Sequence, residues 1–139
     1  MRRELDWLRQ AEKDLAHADI SLEHRDFEWA CFAAHQAAEK AAQSLLRFLG
    51  IDSWGHSVTF MLSEARKETE LPDNLTELAK ELDKHYIPTR YPDSHPEGAP
   101  MDYYTEKDAR SAIGAAREVV SSVQDRLSAI GYPKTDARP

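Results

Sequence analysis

The sequence has one cysteine, Cys31, in 139 residues, which excludes an intramolecular disulfide and fits a reducing compartment. It lies in an apolar helical pattern, so a buried, unreactive thiol is expected. No apolar run approaches the roughly 18 residues of a membrane span, and the opening MRRELDWLRQ lacks an apolar signal region. These absences predict a cytoplasmic protein with no membrane association. Positive charge is also short: 18 Lys and Arg stand against 25 Asp and Glu, a net charge of −7. Generic duplex binding needs many cation–phosphate contacts, so no bulk duplex DNA binding is expected. Any nucleic-acid activity must come from a local patch or from a seam between two copies. The chain has no Gly-rich phosphate loop, no Gly-x-Ser-x-Gly elbow and no CxxC or HxxxH spacing. His17 and His24 are too far apart in sequence for one ion, and neither a metal nor a cofactor is expected.

Against these absences stands a strong helical periodicity in a chain of single-domain size, 41% apolar. Leu5, Leu8, Ala11, Leu15, Ala18 and Leu22 form one stripe at steps of three and four. A second helix follows with Asp26 as N-cap and Gly50 as its C′ stop, carrying Phe27, Ala30, Cys31, Ala34, Ala38, Ala41, Leu45, Phe48 and Leu49 inward. Its alanines permit close approach of neighbours, which makes it the central helix. A short third helix starts after Ser57 with Val58, Met61, Leu62 and Ala65 inward, and a fourth runs from Pro72 at N1 to about Lys84. The last opens on the capping box Thr105–Asp108 and runs through Ile130 to Gly131. No segment alternates with period two. The expectation is an all-α, antiparallel up-and-down four-helix bundle with an additional short helix, occupying residues 1–131, with a disordered tail over 132–139.

The connection 85–104 contains HYIPTRYPDSHPEG and is long for a compact bundle; such segments are commonly functional or disordered. Its prolines and its flanking tyrosines, Tyr86, Tyr91, Tyr103 and Tyr104, argue for order. The stretches WLRQAEKDLAHADISL, FEWACFAAHQAAEKAAQSLLRFLGI, GHSVTFMLSEA, HYIPTRYPD and EGAPMDYYTEKDA together resemble the prokaryotic stand-alone HEPN domains, from about Asp6 to Leu127. The Arg-Tyr-Pro-Asp run is characteristic of one branch of that family.

The resemblance implies a helical bundle, usually a homodimer, often working beside a minimal nucleotidyltransferase in a toxin–antitoxin-type pair. Some relatives bind nucleotides or RNA, and some are metal-independent ribonucleases bearing an Arg-x(4–6)-His motif. That motif is matched here by Arg90 and His95, with four residues between them. An imidazole can accept the 2′-OH proton, and a guanidinium can hold phosphate oxygens with two donors. Arg90 and His95 are therefore the candidate catalytic residues. Pro96 pushes His95 out of αR, a departure from the helical setting of that histidine in the ribonucleases. Candidate ligand-binding residues are Arg90, Tyr91, Asp93 and Tyr103, with Glu39, Lys40 and His56 as expected neighbours. A structural alternative reads the Arg90–Asp93 turn as a clamp, with Asp93 accepting backbone N–H groups and Arg90 paired to a carboxylate such as Glu39. Gln36, Glu39, Lys40 and Gln43 share a helix face that reads as a solvated stripe, and His35 reads as a boundary residue. A non-catalytic dimerisation module is the remaining class.

Overall fold

The computed structural model describes residues 3–131. Three long helices, α1 (Glu4–Glu23), α2 (Phe27–Phe48) and α5 (Glu106–Ala129), and two nine-residue helices, α3 (Val58–Arg66) and α4 (Leu75–Asp83), make up its regular structure with two short 3-10 turns. The described residues contain no strand, and no helix among them is long and apolar enough to cross a membrane. The five-helix, all-α expectation holds. Its lengths differ in one respect: the fourth helix is no longer than the third. Residues 132–139, expected to form a tail, lie outside the described residues.

Helix α2 is central because it is packed against α1, α3, α4 and α5. Its interior positions Ala30, Ala34, Ala37, Ala38 and Ala41 are fully buried, as are Ala11 and Ala18 of α1 and Ala109, Ala112 and Ala116 of α5. Small side chains on all three helices let the backbones approach. Leu45 and Leu46, also fully buried, supply the larger apolar volume at the far end. Each such leucine contributes about 1.5–3 kcal/mol by leaving water. Cys31 is buried in this seam. Burial first, then the charges of Asp108, Glu81 and Glu28, push its thiol up to about 12, so thiolate chemistry is closed to it.

The punctuation is local chemistry. Gly50 takes φ 76° and donates to the carbonyl of Arg47 while Ile51 donates to Leu46, which closes α2 in a Schellman arrangement. Ser57 Oγ accepts from the Phe60 N–H and starts α3. Thr105 and Asp108 exchange both capping-box bonds at the start of α5. Two expectations need correction. Helix α4 begins at Leu75, not at Pro72, because Leu75 N–H bonds the Pro72 carbonyl in a turn before the helix proper. Ile130 is exposed, since it is the C-cap of α5 and lies past the buried stripe that ends at Leu127.

Candidate functional site

The connection between α4 and α5 is held largely by bonds to itself. Thr89 Oγ1 donates to the His85 carbonyl at 2.6 Å, Arg90 Nε to the Tyr86 carbonyl at 2.9 Å, and His95 Nε2 to the Pro88 carbonyl at 2.7 Å. The prolines open the 3-10 turns Pro92–Ser94 and Pro100–Asp102, where their fixed φ suits the first position. Tyr103 donates its hydroxyl to the Glu97 carbonyl, and Asp102 accepts the Ala99 N–H. The segment is ordered because its side chains satisfy its own backbone.

Arg90 sits on an aromatic shelf. Its guanidinium carbon lies 4.4 Å from the Phe32 ring centroid, 4.6 Å from Tyr86 and 5.1 Å from Tyr91. Among the described residues, only its Nε is used in a hydrogen bond. The expected pairing with Glu39 does not form, and no carboxylate pairs with Arg90 among the described residues. The guanidinium is thus fixed by ring faces and one backbone carbonyl, with its four terminal N–H donors left over.

Glu39 is committed elsewhere. Its Oε2 accepts from His56 Nδ1 at 3.1 Å, and the His56 ring stacks on Tyr86 at 4.4 Å and 19°. His56 thus faces the cleft, as expected of a neighbour of the site, while Ser57 and Asp83 cap α3. Asp83 accepts from the N–H groups of Val58 and Thr59 at 2.8 and 3.0 Å, from Thr59 Oγ1 at 2.7 Å and from Ser57 Oγ at 3.2 Å. Burial raises its pKa, but the bond from His35 and those from Thr59 and Val58 outweigh burial and hold the carboxyl at about 2.

His35 is not a boundary residue: it is fully buried, with Nε2 directed at the His56 carbonyl (3.0 Å) and at Asp83 (3.3 Å). Two acceptors on one nitrogen require that Nε2 carry the proton. The solvated-stripe reading of Gln36 to Gln43 also fails. Gln43 is buried, Gln36 meets the His35 ring at 3.1 Å, and Glu39 is mostly enclosed. Glu39 and Lys40 find partners, His56 and Asp14, that helix spacing could not reveal.

The remaining candidates separate. Lys40 is bound to Asp14 at 2.6 Å and lines a groove with Arg3, Asp6, Trp7 and Gln10, so it belongs to the α1–α2 side and not to the loop. Asp93 is exposed on the first 3-10 turn and accepts no backbone N–H among the described residues; the clamp described above is not how the segment is held. Tyr91 is exposed beside Arg90, and Tyr103 stacks on His95 at 4.3 Å and 14°. His95 is extended (φ −125°, ψ 149°), as Pro96 requires. Tyr86 does more than flank and order the connection. It is the hinge of the site, touching Phe32, His35, His56 and Arg90. Its position four residues before Arg90 was the available signal.

A bundle of this order, with an ordered Arg-Tyr-Pro-Asp connection beside the central helix, defines a helical domain class that sequence comparison makes specific. The HEPN domain model matches residues 5–126, and the chain belongs to the HEPN family. Three solved structures are similar over nearly their whole length. TT1696 from Thermus thermophilus is 45% identical with a TM-score of 0.88, covering 91% of this chain and 100% of that one. ST0689, an archaeal HEPN homologue, is 42% identical with a TM-score of 0.78, covering 91% and 99%. A HEPN domain protein from Thermotoga maritima is 35% identical with a TM-score of 0.73, covering 88% and 98%. Among curated proteins, none matches significantly.

Proposed function

We propose that this HEPN protein binds a phosphate of a nucleotide or RNA at Arg90 and acts as a cytoplasmic homodimer beside a minimal nucleotidyltransferase, in a toxin–antitoxin-type pair. The observation that carries the ligand is the guanidinium itself. It is pre-oriented on Phe32, Tyr86 and Tyr91, spends one donor on the Tyr86 carbonyl and has no carboxylate partner among the described residues. Such a group presents paired N–H donors to a phosphate at little entropic cost. The family resemblance supports the pairing and the dimer.

Fluorescence anisotropy with a labelled RNA oligonucleotide, and calorimetry with nucleotides, test the ligand at low salt. Arg90→Ala is expected to weaken binding at least tenfold in a variant that remains folded at the assay temperature, as checked by its melting curve; equal affinity in the variant refutes the site. Co-expression with a nucleotidyltransferase encoded nearby should yield a complex on size exclusion, and its absence removes the partner.

A second reading, metal-independent ribonuclease action by Arg90 and His95, is favoured by the four residues that separate them, as in the Arg-x(4–6)-His motif. His95 spends Nε2 on Pro88 and one ring face on Tyr103, so only Nδ1 is left for proton transfer. Cleavage in the presence of chelator that disappears in His95→Ala would support that reading.

A further inference from the structure

The imidazole best arranged for proton transfer at this site is not the one the spacing motif selects. His56 has its Nδ1 fixed by the Glu39 carboxylate at 3.1 Å, while its side chain is 52% exposed and that of Glu39 only 13%. A carboxylate on one ring nitrogen sets the tautomer, leaves the other nitrogen as the acceptor and stabilises the imidazolium that forms. Tyr86 joins this pair to Arg90: it stacks on His56 at 4.4 Å and lies under the guanidinium at 4.6 Å. No protein group bonds His56 Nε2 or the Tyr86 hydroxyl among the described residues. By contrast, His95 is tied to a neutral carbonyl and covered by Tyr103. The backbone carbonyl of His56 accepts from buried His35, which anchors the histidine from the main-chain side as well.

We propose that His56, positioned by Glu39, is the acid–base group of a phosphodiester site whose phosphate is held by Arg90. This rests on the phosphate reading above. His56 Nε2 takes the proton of a ribose 2′-OH as the O2′–P bond forms and the P–O5′ bond breaks. The departing 5′-oxygen takes a proton from water, and the imidazolium returns its own to the hydroxide left behind. The products are a 2′,3′-cyclic phosphate and a 5′-hydroxyl, with no redox change and no co-reactant. Glu39 does not touch the substrate; it is a positioning residue.

The test is cleavage of a labelled single-stranded RNA by the full chain in excess chelator, with product ends identified by mass spectrometry and binding measured in parallel by anisotropy. Cyclic-phosphate ends are expected, with a hundredfold or greater loss in H56Q, the scale on which general-base removal acts, and RNA affinity within a few-fold of the unsubstituted chain. E39Q should displace the acidic limb of the kcat/KM profile. The charged and titratable groups around His56 are Glu39 and His35 of α2, Asp83 of α4, and Tyr86 and Arg90 of the connection; only the Glu39 charge changes in that variant. Melting curves of both variants exclude unfolding as the cause of a loss. RNA binding without cleavage, cleavage retained in H56Q, or an E39Q profile identical to the parent overturns the proposal and leaves the phosphate reading standing. Failure of the chain to bind RNA or nucleotide overturns both.

Discussion

Helix α2 faces two regions built on opposite rules. Toward α1 and α5 it offers mainly alanines, and the partners return alanines, so the seam is close and mostly apolar, with the Lys40–Asp14 pair and the buried Ser44 bond to the Glu4 carbonyl as its directional contacts toward α1. Toward the 85–104 connection and the turn before α3 it offers Phe32, His35 and Glu39: the contacts are ring on ring and cation on ring to Tyr86 and Arg90, and carboxylate on imidazole to His56. The first kind of contact supplies bulk stability; the second fixes orientation at modest energy, about 0.5–1.5 kcal/mol per aromatic pair beyond area. One helix thus separates folding from site geometry by face, and substitutions should separate the same way.

The largest effect is expected on the apolar side. Leu45→Ala removes a fully buried side chain and should cost about 2–5 kcal/mol in urea unfolding. RNA or nucleotide affinity, measured well below the midpoint, should not change. A parallel loss of affinity would show that the two faces are not separable.

Asp83 is where the regions join, since it holds both α3 and His35. Its carboxyl is lowered from an ordinary 3.8 to about 2 in the fold. A depressed carboxyl contributes stability that is full above the unfolded value and is lost as pH falls through the folded one. At about 1.4 kcal/mol per unit the contribution is about 2 kcal/mol, present above about pH 4 and gone near pH 2. Asp83→Asn should remove this at neutral pH and flatten the acid limb of a stability–pH curve. An unaltered acid limb would mean that another carboxylate carries it.

The apolar face was readable in the sequence and the directional face was not. The inward stripes of α3 and α5, the Gly50 stop, the Ser57 cap and the Thr105–Asp108 box all depend on residues within one or two turns of each other, so spacing alone shows them. Arg90, Glu39, His56 and Lys40 stand out by their chemistry, but the partners of Glu39, His56 and Lys40, and the Phe32 ring under Arg90, lie far off in sequence. Glu39 chose His56 over Arg90, Lys40 chose Asp14, and His35 chose Asp83, 48 residues away. Helix spacing fixes which side chains share a face and says nothing about what arrives opposite them. Arg90 could be singled out without its geometry because a proline-stiffened turn in a helical chain already needs a reason.

One substitution applied to both regions should change sign between them. Gly98, in the connection, has φ 78°, and an added Cβ would lie 3.1 Å from Asp102 Oδ2 and 3.5 Å from the Tyr103 ring. Gly98→Ala therefore meets left-handed strain and crowds the carboxylate that accepts the Ala99 N–H, costing about 1–2 kcal/mol. Gly114 is exposed on α5, and its added Cβ meets nothing within 4 Å. There Gly114→Ala removes unfolded-state entropy and should gain about 0.5–1 kcal/mol, seen as a higher urea midpoint at unchanged slope. Gly98→Ala should also weaken phosphate binding by loosening the Tyr103–His95 side of the segment, whereas Gly114→Ala should leave it untouched. Equal and same-signed shifts would mean that the connection tolerates backbone change as a helix surface does, and that its order is not set by the self-bonding described above.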